Sequence, residues 1–222
     1  MPWAFSGVGV EKIHFPSTLT YVGDHAFAGS AQLRELDLPG SLQEVGKAAF
    51  EGCTGLERAR IGDRVGALPE SCFERCTGLR EVTLPDGLRE LGRKSFAHCT
   101  GLEKVLLGRG LEEVGDSAFC NVASAKVHAP DWASWCNIRF APDKNYSGKN
   151  VRRQCSANPV QGTSELYVDG AQVTEVEIPE GVTAVGENAF NSYDGAAVVR
   201  IPSTVTSIGG TAFYACKYLT AV

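Results

Sequence analysis

The chain is 222 residues long with a formal net charge of −5 and a pI near 5.4. That balance argues against a broad surface for nucleic acid or for an anionic membrane. No apolar run is long enough for a membrane-crossing helix, and Met1-Pro2-Trp3 carries none of the basic charge that opens a signal peptide.

Along the chain, a phenylalanine preceded by a small residue returns with a fixed period. Ala4-Phe5 is the tail of one such unit. The regular series follows as Ala26-Phe27, Ala49-Phe50, Cys72-Phe73, Ser95-Phe96 and Ala118-Phe119, each 23 residues from the last. After a gap of 71 residues it resumes as Ala189-Phe190 and Ala212-Phe213. Other apolar columns keep the same register, including Val22, Val45, Leu68 and Leu91 five residues before each Phe, and Leu38, Ile61, Leu84 and Leu107 twelve before. A fixed period of this length marks a stacked-repeat architecture, in which each unit buries its apolar side only against its neighbours.

Within a unit, the columns fourteen and twelve residues before the Phe share one face of a short strand, as in Val82-Thr83-Leu84. Pro16, Pro39, Pro85, Pro130, Pro179 and Pro202 then turn the chain, with Gly62 and Gly108 in the same place in two units. A second short extended piece ends at Gly23, Gly46, Gly92, Gly115, Gly186 or Gly209, expected as corners with φ above zero, and Pro69 is expected to shape its own corner differently. The segment leading into each Phe suits one helical or 3₁₀ turn. Cys53, Cys76, Cys99 and Cys216 each follow their Phe by three residues, a column expected to hold small, buried, reduced thiols rather than a disulfide ladder or metal site.

Residues 130–173 break the period. Asp131 is expected to cap a short helix containing Trp132, Trp135, Ile138 and Phe140. A polar loop follows, in which Asn145-Tyr146-Ser147 fits a glycosylation sequon. Leu166-Tyr167-Val168, Asp169-Gly170 and Val173 to Ile178 are expected as a hairpin leading back into the array. The expected organisation is therefore residues 1–129 as a repeat array, 130–173 as an irregular island and 174–222 as further repeats, one continuous solenoid. Leu219-Thr220-Ala221-Val222 stops where a strand should begin, so the chain is expected to be a segment of a longer protein.

The run Ile178-Pro179-Glu180-Gly181-Val182-Thr183-Ala184-Val185-Gly186-Glu187-Asn188-Ala189-Phe190 resembles the BspA-like class of leucine-rich repeats, as does Ile201 to Cys216. The resemblance covers nearly the whole chain. It implies a leucine-rich repeat solenoid of parallel β-strands, one or two short strands per rung with short helical or 3₁₀ turns, interrupted by one insertion. It also implies a cell-surface or secreted binding protein of adhesive type, because members of the class are known mostly in that setting.

The residues themselves offer little chemistry. Gly40 to Gly46-Lys47 imitates a phosphate-binding loop, but the glycines are spaced wrongly and Ala48 replaces the metal-binding hydroxyl. His14, His25, His98 and His128 form no cluster with a nucleophile, so neither catalysis nor a cofactor is expected. The informative pattern is the solvent side of the strand column, where Lys12, Glu35, Arg58, Glu81 and Lys104 alternate in sign on consecutive rungs. These five, with Trp132, Trp135 and Tyr146 of the island, are the candidate contacts for a protein or cell-surface macromolecule. Uncapped rungs at the two ends also invite end-to-end association of copies. A purely architectural spacer is the alternative, and a hydrolase or carbohydrate-active site in the island a remote one.

Overall fold

A computed structural model describes residues 2–122, 124–142, 157–160 and 164–221. The regular array alternates two short strands per rung: β1 (Tyr21–Val22), β2 (Glu35–Asp37), β3 (Glu44–Val45), β4 (Arg58–Arg60) and β5 (Ala67–Leu68). The alternation continues through β6 (Glu81–Thr83), β7 (Glu90–Leu91), β8 (Lys104–Leu106) and β9 (Glu113–Val114). Next come β10 (Lys126–Ala129), helix α1 (Trp132–Cys136), β11 (Arg139–Phe140), β12 (Glu165–Val168) and β13 (Ala171–Gln172). The last units contribute β14 (Val176–Glu177), β15 (Ala184–Val185), β16 (Val199–Arg200) and β17 (Ser207–Ile208).

Strands β2, β4, β6, β8, β10 and β12 pair in parallel to form one wall of the solenoid, with β13 antiparallel at its edge. The middle residue of each three-residue strand points inward and is buried: Leu36, Ala59, Val82 and Val105. Strands β5, β7, β9 and β11 form the second wall, while β1 and β3 pair separately. Pro69 explains that break. At the equivalent corners, Gly46, Gly92 and Gly115 each donate a backbone hydrogen bond of 2.7 Å to the preceding rung. Pro69 has no N–H to donate, so the ladder stops between β3 and β5. Its corner is otherwise kept, because Cys72 N still donates to Pro69 O at 3.3 Å, as Ala49 N does to Gly46 O. The consequence of Pro69 is a missing bond rather than a different turn.

The Phe segments form a third side, without the helical or 3₁₀ turn expected of them. Every second amide bonds to the next rung, as in His25 N to Lys47 O at 2.8 Å and Phe27 N to Ala49 O at 2.8 Å. The amides between them close tight turns, such as Ala28 N to His25 O at 3.1 Å. This alternation demands left-handed backbone two residues before and two after each Phe: Ser71 (φ 58°) and Arg75 (φ 61°) around Phe73, Lys94 (φ 56°) and His98 (φ 62°) around Phe96. The corner glycines expected to supply positive φ do not. They are required by proximity instead, since a Cβ on Gly46 would lie 2.3 Å from the backbone nitrogen of Asp24.

Because non-glycine residues pay a steric cost in the left-handed region, Arg75→Gly is expected to raise stability by about 0.5–1 kcal/mol. Arg75 gives up only an exposed ion pair with Glu51 at 3.6 Å, a type of contact that contributes little. Urea denaturation checks the sign.

Inside, the phenylalanines stack as expected from the repeat. Phe27, Phe50, Phe73 and Phe96 follow one another with ring centroids 5.5, 5.3 and 5.3 Å apart, and Phe190 stacks on Phe213 at 5.1 Å. The cysteine column has a chemical reason as well as a steric one. The thiols of Cys53, Cys76, Cys99 and Cys216 donate to Phe27 O, Phe50 O, Phe73 O and Phe190 O at 3.1–3.3 Å. Ser30 does the same to Phe5 O at 3.3 Å. A small donor at this position satisfies a carbonyl that the stack would otherwise bury unpaired. These four cysteines, with Cys72 and Cys136, are free thiols, whereas Cys120 is disulfide-bonded. Burial pushes the Cys99 and Cys136 thiols up to about 12, which keeps them protonated and unreactive.

The island is built into the solenoid. Asp131 caps α1 as expected, accepting from Ser134 N at 2.7 Å. The helix is shorter than expected, however, and Phe140 belongs to β11, which continues the second wall beside β9. The hairpin turns at Asp169 (φ 51°) and Gly170 (φ 78°), but only β12 and β13 form it. Val173 to Ile178 leaves it for the next repeat, where β14 pairs β16. Less expected still, β12 is a rung of the main wall, pairing in parallel with β10 from Lys126↔Glu165 to Ala129↔Val168.

Candidate partner-binding face

The outward residues of the main wall are the candidate site. Strand alternation places them there: in β2 and β4 the two outer residues are exposed while the central one is buried. Lys12 bridges to Glu35, and the register then runs Glu35↔Arg58↔Glu81↔Lys104. Two ion pairs close along this row, Glu35–Arg58 at 2.8 Å and Glu81–Lys104 at 3.6 Å. Arg58 holds the Glu35 carboxyl below its usual range through a hydrogen bond and its charge.

Two further rows carry the same logic, and both are legible as alternating signs at the repeat spacing. One residue earlier in each unit, Arg34 meets Glu57 at 3.4 Å and Arg80 meets Glu103 at 3.1 Å. This row is in antiphase to the first, so the face is a checkerboard. At the Phe side, Glu70 bridges Lys47 at 2.8 Å and Arg93 at 3.1 Å, and Arg93 reaches Asp116 at 3.6 Å. Such exposed pairs contribute little stability singly; their effect is to leave the face polar with little net charge.

The aromatic island contributes less surface than its sequence suggests. Trp135 is completely buried, its ring centroid 5.4 Å from Phe140 and 6.2 Å from Phe190. It fills the core where the Phe stack is interrupted, so it has no surface to offer a partner, which removes it from the candidate contacts. Trp132 is partly buried, packed on the core 6.4 Å from the Phe190 ring. Tyr146 and its sequon lie outside the described residues. The walls therefore present Lys12, Glu35, Arg58, Glu81 and Lys104 together, and the tryptophans do not join them.

No group of three or more His, Cys, Asp or Glu side chains suited to a metal occurs among the described residues. Nor, among them, is any helix long and apolar enough to cross a membrane.

These features define a leucine-rich repeat solenoid, with a stacked Phe core and a polar sheet face. More particularly, the chain belongs to the BspA type leucine-rich repeat family, whose six-copy model matches residues 2–126 and 163–222. It is similar in fold to a leucine-rich repeat protein from Bacteroides ovatus, with a TM-score of 0.54, 19% identity, and 98% of this chain and 62% of that one covered. The leucine-rich repeat protein of T. pallidum matches with a TM-score of 0.53 and 22% identity over 91% of this chain and 72% of its own. One from Eubacterium ventriosum matches with a TM-score of 0.51 and 18% identity over 89% of this chain and 40% of its own. The chain thus spans 62% of the Bacteroides ovatus protein's length. No curated protein matches it.

Proposed function

We propose that the chain is a non-catalytic protein-interaction and adhesion module of a cell-surface or secreted protein, binding a host or cell-surface macromolecule through the outer face of its main wall. The observation that carries this reading is that face. Its inward side is sealed core, while its outward side sets two antiphase rows of charged side chains on consecutive, hydrogen-bonded rungs. Rigid strands hold these groups in fixed register, as a recognition surface requires. The disulfide at Cys120 agrees with an oxidising compartment.

The test is binding of the chain to purified extracellular-matrix and cell-surface glycoproteins, measured by biolayer interferometry. The double reversal Glu35→Arg with Arg58→Glu keeps the ion pair but inverts the pattern. It is expected to weaken a matrix interaction about tenfold. Failure to bind any such protein would leave the spacer reading, which the mutual pairing of the charges favours.

A further inference from the structure

The charge order of the main wall fails at one place, where β8, β10 and β12 meet. Alternation calls for an acid opposite Lys104, but the register brings Lys126 there. Glu165 is next in line, yet its carboxylate accepts from the Tyr167 hydroxyl at 2.7 Å and from Gln172 Nε2 at 3.4 Å. Lys104 keeps Glu81 at 3.6 Å. Lys126 is exposed and has no ion-pair partner among the described residues.

The adjoining row changes character on the same strands. Asp37, Arg60 and Thr83 give way in register to Leu106, His128 and Tyr167. The rings of His128 and Tyr167 stack at 4.6 Å and 17°, and all three side chains are half-buried on the outer face. Neighbouring like charges cost the isolated sheet stability. A half-buried aromatic group is, however, the kind of residue that anchors a binding hot spot, with polar residues forming its rim.

We propose that Lys104, Lys126, His128 and Tyr167 form a docking point for an extended acidic peptide segment of a partner protein, with a carboxylate beside an aromatic or aliphatic side chain. The inference rests on the reading of this wall as the contact surface. Charge complementarity selects the occupant: Lys104 and Lys126 stand side by side on adjacent strands, and Lys126 has no ion-pair partner among the described residues. The carboxylate meets the two ammonium groups, and the apolar side chain covers the stacked rings and Leu106.

His128 makes the docking pH-sensitive. Burial first, then the charges of Lys104 and Lys126, hold its pKa below the ordinary histidine value, with Glu81 opposing. Glu165 and Tyr167 also border it on β12. A docked carboxylate favours the protonated ring and raises that pKa. Binding therefore takes up a proton and tightens as pH falls through the bound-state value.

The test uses the full chain and a synthetic peptide of alternating Glu and Phe, with Lys–Phe and Glu–Ser peptides as controls, followed by fluorescence anisotropy. The Glu–Phe peptide is expected to bind best and more tightly at lower pH, with a shift of the His128 imidazole signal in NMR. Lys126→Glu should weaken it about tenfold and Lys126→Ala by less. Equal binding of the Lys–Phe peptide, or no effect of either Lys126 variant, overturns the docking point. Matrix-protein binding that survives Lys126→Glu would overturn this site and spare the wider function, whereas loss of all matrix binding by the native chain would remove both.

Discussion

Replacing Phe73 with alanine is expected to cost about 3–5 kcal/mol of folding free energy. Phe73 is completely buried, and both faces of its ring are occupied, by Phe50 at 5.3 Å and 10° and by Phe96 at 5.3 Å and 1°. Truncation removes its own transfer energy and strips a stacking partner from each neighbour. The rungs cannot close over the gap. Phe73 N donates to Ser95 O at 2.8 Å and Phe50 N to Cys72 O at 2.9 Å, which fixes their separation. In a solenoid each rung depends on its nearest neighbours, so the loss should couple to a second truncation at Phe96 and add simply to one at Phe213. Chemical denaturation of the single and double variants measures both effects, and a cost below about 1 kcal/mol for Phe73→Ala would refute the Phe spine as core.

The parts of this fold that were legible in the sequence are those where one residue type must recur because one side chain is buried per rung. Leu36, Ala59, Val82 and Val105 keep their column, and so do the phenylalanines. What was not legible depends on contacts between rungs. A glycine serving a positive φ and one serving a close approach look identical in a sequence, and here the left-handed positions went to His25, Ala48, Ser71 and Lys94 instead. The pairing of β12 with β10 was hidden for the same reason, because Glu165 to Val168 lies far along the chain from Lys126 to Ala129. The candidate site divides in the same way. The alternating row from Lys12 to Lys104 was plain, and its antiphase companion carried an equal signal one residue earlier. The break at Lys126 emerges only once the register is known.

The joint between island and final repeats is where a single methyl group should do most damage. Gly186 lies against the loop after α1, and its amide donates to Cys136 O at 2.7 Å. A Cβ there would fall 2.0 Å from Ile138 O, 2.9 Å from Ile138 C and 3.0 Å from Cys136 O, all backbone atoms. No rotamer change can relieve such a clash, so the rungs must part. Around the same joint, Asn188 Nδ2 donates to Phe140 O at 2.9 Å, and Asn158 Nδ2 to Asn188 O at 2.7 Å. Both asparagines are buried, and separating the rungs would strand these groups without partners. Gly186→Ala is therefore expected to cost about 3 kcal/mol or more. Gly40→Ala is the matched control, since its Cβ meets nothing within 4 Å and its φ is not positive; it should be neutral or stabilising by about 0.4–1 kcal/mol. Hydrogen exchange would localise the defect: protection should fall at Phe140 and in the Asn188 to Tyr193 turn, and persist at Phe50 and Phe73. Equal stability of the two variants would mean that the final repeats are not stacked on the island.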